Sequence, residues 1–151
     1  MGPGQSPTVG ILLLCAGMVA ATLAIHAVGF GVLLRAIVRY GALHTTSIMS
    51  ITRWVMGLAC WLILIHLIEI ALWALFYVWR GCLTGFEPAF YFSGATYTTV
   101  GYGDIVLPKA CRALAPLEAL TGILACGLST GLFFGLVQRW IANRTKVIHS
   151  Q

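Results

Sequence analysis

Residues 86–104 read FEPAFYFSGATYTTVGYGD. What flanks this stretch decides the fold. Residues 54–79 run before it and residues 113–140 after it, both predominantly apolar. Each is longer than the roughly 20 residues that cross a hydrocarbon core. The stretch itself is rich in glycine, threonine and aromatics, and the segment holding it, residues 81–108, is too short to span a bilayer twice. It is expected to enter the membrane from one side and return. Non-helical backbone at that depth is tolerated only where protein buries it or where it lines a water-filled path.

A third apolar run, residues 9–34, is interrupted only by Thr22, His26 and small residues. Composition agrees with a membrane protein. Of 151 residues, 60% are hydrophobic and 9% charged, with a mean hydropathy of +0.94. Soluble domains carry about 25% charged residues, so soluble, disordered and fibrous classes are disfavoured. The first run is not a cleaved leader, since residues 1–8 (MGPGQSPT) lack Lys and Arg and the run is too long. No internal repeat and no linker to a second domain is visible.

The net charge of +5 comes from nine basic residues against four acids. It reads as topology rather than as a nucleic-acid surface. Arg35, Arg39 and Arg53 lie between the first and second runs, and Arg139, Arg144 and Lys146 lie at or beyond the end of the third. Arg80, Lys109 and Arg112 fall on the other side. The more basic side is cytoplasmic by the positive-inside rule, so the N-terminus and residues 81–108 are expected outside. The sequon Asn143-Arg144-Thr145 then lies on a side where it is not used.

Within the outward segment, Thr99-Val100-Gly101-Tyr102-Gly103 is TVGYG, and the stretch around it resembles the pore helix and selectivity filter of potassium channels. From residue 54 to 140 the chain is similar to the helix–pore loop–helix unit of the two-transmembrane potassium channel superfamily, with an extra helix in front. The resemblance implies that the carbonyls of Thr99, Val100, Gly101 and Tyr102, and the Thr99 hydroxyl, replace the hydration shell of K+. Gly103 completes this ion-binding set, and the side chains of Val100 and Tyr102 brace it from outside. Thr98, Asp104 and Tyr91 are expected to support the filter, with Tyr91 the aromatic donor to Asp104. Some relatives carry a pore-helix acid where this chain has Ala95, so filter inactivation does not transfer. A tight surface turn would also use Gly and Thr, but does not require five specified residues behind a half-helix.

That half-helix is legible in its own right. Pro88 suits a first helical turn, Glu87 complements a helix N-terminus, and the C-terminal end would offer partial negative charge to a cation. Residues 88–97 would extend about 15 Å, half a bilayer. Phe90, Tyr91 and Phe92 are expected to wedge it against the flanking helices.

The third run carries Gly122, Gly127, Gly131 and Gly135. Small residues on one face let helices approach closely; alternatively Gly122 or Gly127 is a gating hinge. Ser129 and Thr130 are expected to face an aqueous cavity, with Phe133 or Phe134 narrowing its inner end. Glu69 is an acid at membrane depth, expensive in lipid and a functional candidate by default. It is expected to face the pore helix or the first helix, as a structural anchor or a proton-sensitive element. The four histidines and five cysteines show no metal-ligand spacing. Cys82 and Cys111 share the outer side, where a bridge within or between subunits is open to them. Two arginines, Arg35 and Arg39, are too few for a voltage sensor, and an eleven-residue tail leaves no room for a ligand-binding gating domain.

The expected architecture is an all-α polytopic membrane protein with three transmembrane helices, a re-entrant pore helix and a filter. Its parts are residues 1–53 (first helix and cytoplasmic connection), 54–140 (pore domain: outer helix 54–79, pore helix 88–97, filter 99–103, inner helix 113–140) and 141–151 (tail). Four chains are needed to surround an ion, so the resemblance implies a homotetramer in a lipid bilayer, conducting K+ passively across a plasma membrane, or the inner membrane of a bacterium. No enzyme activity, organic cofactor, nucleic acid or metal beyond K+ is expected. A weakly selective cation channel and a non-conducting regulatory subunit are the rival readings, and the sequence leaves any regulatory partner and the gating stimulus open.

Overall fold

The computed structural model describes residues 7–42 and 47–149; residues 1–6, His44 and the side chains of Lys146 and His149 lie outside the description. The described chain is all helical: α1 (Pro7–Arg39), α2 (Ile48–Trp79), α3 (Phe86–Tyr97) and α4 (Leu114–His149). Three helices are long and apolar enough to cross a membrane, over Leu13–Arg39, Ile48–Trp79 and Leu114–Thr145. The short α3 packs against α2 and α4, while α1 packs against the same two helices.

The helices outrun the apolar stretches that announce them. α2 begins at Ile48, ahead of Trp54, with the Ser47 carbonyl accepting the Ile51 N–H at 2.9 Å. α4 runs on to His149, well past Trp140. Hydropathy reports where lipid ends, not where a helix ends, and residues 136–149 contain no Gly or Pro to stop the helix. Trp140 is fully buried and donates its indole N–H to the Ala42 carbonyl at 2.8 Å, tying this end of α4 to the α1–α2 turn.

Two apolar clusters mark the two ends of the bundle. At one end Leu33 and Ile37 of α1 meet Leu58 and Leu62 of α2 and Leu136 and Trp140 of α4. At the other, Cys15 of α1 joins Trp73 and Tyr77 of α2, Phe92 of α3 and Leu114 of α4. Between them α1 and α2 come very close: a Cβ on Gly29 would lie 2.5 Å from Ile65 Cδ1. The Gly29 carbonyl there accepts the Trp61 indole N–H at 3.0 Å.

α2 ends in a left-handed turn at Gly81 (φ 67°), a conformation that favours glycine. The Cys82 N–H reaches the Tyr77 carbonyl at 2.9 Å and the Gly81 N–H the Val78 carbonyl at 3.0 Å. This reversal satisfies the last carbonyls of the helix and aims Cys82 at Cys111, to which it is bonded. The disulfide links the end of α2 to the segment before α4 across a separation of 29 residues. Closing such a loop contributes about 3 kcal/mol. Replacing both cysteines by serine should lower unfolding stability in detergent by about that amount. Alkylation of unreduced protein should label only Cys15, Cys60 and Cys126, as read by mass spectrometry.

Candidate functional site

The site is the loop that leaves α3. Gly85 (φ 92°) turns the chain into the helix, and Pro88 sits in the first turn, where its missing N–H has no intrahelical partner to lose. At the far end the backbone does not simply unwind. Thr98 N–H and its hydroxyl both donate to the Gly94 carbonyl, at 3.1 and 2.7 Å. Thr99 N–H donates to the Thr96 carbonyl at 2.9 Å and Gly101 N–H to the Ala95 carbonyl at 3.0 Å. The last turn of α3 thus holds the first residues of the loop by their amides.

Thr99, Gly101 and Gly103 have φ of 60°, 53° and 77°, whereas Val100 and Tyr102 do not have positive φ. Handedness therefore alternates along the whole stretch. Alternation of this kind turns successive carbonyls towards one side, the requirement for a ladder of cation-coordinating oxygens. Thr99 is the sole non-glycine with positive φ among the described residues. A β-branched residue there is a true outlier, and strain of about 1–3 kcal/mol per such residue characterises functional sites.

Beyond the loop, Tyr91 of α3 donates its hydroxyl to Asp104 Oδ2 at 2.8 Å and its ring stacks on that of Tyr102, 6.4 Å apart and 11° from parallel. Asp104 Oδ1 accepts the Ile105 N–H at 3.0 Å. The hydrogen bond to Asp104 raises the Tyr91 phenol above its ordinary range. Residues 98–104 are exposed within the single chain. Val100 and Tyr102, together with Phe86, Phe90 and Tyr91, line an open apolar groove of about 840 Å³.

Of the three aromatics expected to wedge α3, two do so. Phe92 packs edge-on against Tyr77 at 5.3 Å, and Phe90 lies against the apolar clusters at both ends of α3. Tyr91 is instead exposed and spent on the loop.

Behind α3 lie two buried polar clusters. In the first, Glu118 of α4, fully buried, accepts from Tyr77 at 2.6 Å, and its other oxygen meets Ser93 Oγ. Ser93 also donates to the Ile70 carbonyl at 2.9 Å. In the second, Glu69 faces both α1 and α3. His26 Nδ1 lies 2.8 Å from Glu69 Oε1, and Tyr97 donates to Oε2. His66 Nδ1 lies 2.9 Å from the Tyr97 hydroxyl. Although no metal spacing is visible in the sequence, His26, His66 and Glu69 bring ligand atoms within 4.8 Å of one another.

Ser129 departs from its expected place in an aqueous cavity. It is buried and faces the Nε2 atoms of His26 and His66, because those imidazoles need partners that lipid does not offer. Thr130, its neighbour, is exposed. Gly122 also has a specific reason to lack a side chain: a Cβ there would lie 2.1 Å from the Tyr97 carbonyl oxygen. Gly127, Gly131 and Gly135 meet nothing within 4 Å in the same chain. Tyr77, Ser93 and Tyr97 were not legible as polar anchors. Glu118 and its partners were missed as well, since nothing near residue 118 in the sequence marks a buried acid.

Three helices long and apolar enough to cross a membrane, with the short α3 packed against two of them, define a multi-pass membrane protein. An ion channel family model matches residues 63–139, about half of the chain, and the chain belongs to that family, of two-transmembrane channel type. Comparison with curated proteins and with solved structures returns no match.

Two outcomes follow from the supports of the loop. Glu118→Gln keeps an acceptor for Tyr77 and a donor for Ser93, whereas Glu118→Ala orphans the Tyr77 hydroxyl and leaves Ser93 only the Ile70 carbonyl; unfolding in detergent should find the alanine variant less stable by about 2–4 kcal/mol. Asp104→Asn removes the charge that holds the Tyr91 proton. Ultraviolet titration should then show Tyr91 ionising at lower pH than in the parent, nearer the ordinary tyrosine range.

Proposed function

We propose that the protein is a potassium-selective channel in which four copies of residues 99–103 surround the ion path. The observation that carries this reading is the alternation of positive φ at Thr99, Gly101 and Gly103 within the TVGYG sequence. Four-fold rings of backbone carbonyls replace the hydration shell of K+, with the Thr99 hydroxyl at the inner end.

A homotetramer is supported by what one chain leaves undone. A single loop cannot enclose an ion, and Val100 and Tyr102 are 53% and 71% exposed beside the apolar groove along α3. A neighbouring copy in a cyclic, head-to-tail arrangement would cover both. Gly127, with open space around it, is available as a hinge of α4; Gly122 serves packing against α3 first. The arginine-rich end of the bundle would be cytoplasmic. The Cys82–Cys111 disulfide suits an oxidising outer side, and a plasma membrane, or a bacterial inner membrane, fits both.

Flux through liposomes holding the purified tetramer tests this. Potassium flux should exceed sodium flux and fall at least about tenfold in Gly101→Ala, since a side chain at positive φ costs about 1–2 kcal/mol in each copy. Equal potassium and sodium fluxes would point to a weakly selective cation channel. A silent tetramer that alters the current of a partner would point to a regulatory subunit.

A further inference from the structure

Glu69, His26, Ser129, His66 and Tyr97 close a ring. Taken in order, the contacts are Glu69 Oε1 to His26 Nδ1 (2.8 Å), His26 Nε2 to Ser129 Oγ (3.3 Å), and Ser129 Oγ to His66 Nε2 (3.1 Å). His66 Nδ1 then meets the Tyr97 hydroxyl (2.9 Å), which donates to Glu69 Oε2. Five groups from all four helices share five contacts. Glu69 Oε2 also lies 3.4 Å from His66 Nδ1, a contact that can share the proton already pointing at Tyr97.

Each contact needs one proton, and the protons can be counted. A carboxylate brings none, and a neutral imidazole, a serine hydroxyl and a tyrosine hydroxyl bring one each. With Glu69 ionised and both histidines neutral, the ring holds four protons for five contacts. Somewhere two lone pairs then face each other, a buried polar group is left unpaired, and the ring carries a net negative charge at membrane depth. A fifth proton closes every contact and makes the whole ring electrically neutral. It sits equivalently on Glu69, on His26 or on His66, since shifting protons along the contacts interconverts these forms.

We propose that this ring is a proton-binding site that takes up one proton beyond those of a carboxylate and two neutral imidazoles, and holds it at neutral pH. A divalent metal on His26, His66 and Glu69 fits less well. Against one carboxylate it would leave a net positive charge in lipid, and it would displace Tyr97 from Glu69. The other titratable groups that act on the ring are on α4: Cys126 interacts electrostatically with Glu69 and Tyr97, and Glu118 with Tyr97. Because Tyr97 is the last residue of α3 and the turn it belongs to holds Thr99, loss of the fifth proton opens one contact of the ring that anchors the base of the loop. The proton count does not depend on which ion the pore passes.

Ser129 makes the test specific, because it never titrates. In a simple His26–Glu69 ion pair its removal would leave the protonation unchanged. In the ring, Ser129→Ala deletes two contacts and one proton, leaving three contacts for three protons and no demand for an extra one. The full chain, carrying His44→Gln and His149→Gln so that two imidazole signals remain, is placed in lipid bilayers with ¹⁵N-histidine and ¹³C-glutamate labels. At neutral pH the Ser129 protein should show either one doubly protonated imidazole or a protonated Glu69 carboxyl, lost on titration to alkaline pH. Ser129→Ala should show two singly protonated imidazoles and an ionised carboxylate already at neutral pH. Glu69→Gln, whose amide supplies the missing ring proton, should fold and show two singly protonated imidazoles at both pH values. Two neutral imidazoles beside an ionised Glu69 in the Ser129 protein would overturn the proposal. So would an extra proton that survives Ser129→Ala, or a doubly protonated imidazole in Glu69→Gln.

Discussion

A half-helix packed against helices long and apolar enough to cross a membrane must have its last carbonyls paired, and much of this chain answers that constraint. α3 stops at Tyr97, and the irregular backbone beyond it needs partners for its amides. The amides of Thr98, Thr99 and Gly101 return to the carbonyls of Gly94, Thr96 and Ala95. Buried side chains then fix α3 from behind, through Ser93 on Glu118 and Tyr97 on Glu69. Among the described residues, no buried side-chain nitrogen or oxygen lacks a contact. The strained Thr99 persists because its surroundings determine it from both sides.

α1 belongs to the same solution, although the family match begins only at residue 63. It supplies His26 to Glu69, the Thr22 hydroxyl to the Trp73 indole at 3.1 Å, and the Gly29 carbonyl to the Trp61 indole. These are directional contacts spaced along the helix, and they fix its depth and rotation against α2. An accessory helix held by lipid-like packing alone would slide; this one is keyed in place.

The sequence exposed what is local or periodic. Long apolar runs announced α1, α2 and α4, while Pro88 and the Gly-rich stretch after Tyr97 announced α3 and its loop. Pairings between distant positions were not legible. Glu69 stood out as an acid in apolar surroundings, yet Ser129 meets His26 across 103 residues and nothing in either neighbourhood signals it. A serine in an apolar helix reads equally as a cavity wall or as a buried hydroxyl, and only the fold distinguishes them. The histidines hid for a related reason: His26 and His66 lie on different helices, so no spacing rule applies, yet their rings are 5.4 Å apart. Helix ends were missed because hydropathy measures lipid contact.

The contact between Gly122 and the Tyr97 carbonyl leaves α4 no clearance at that level. The helix cannot bow towards α3 there without pushing the end of the half-helix. Beyond that level α4 continues unbroken to His149, with the buried Trp140 holding it to the Ala42 carbonyl of the α1–α2 turn. The helix is therefore gripped at two levels, beside the half-helix by a missing side chain and at its arginine-rich end by a buried indole.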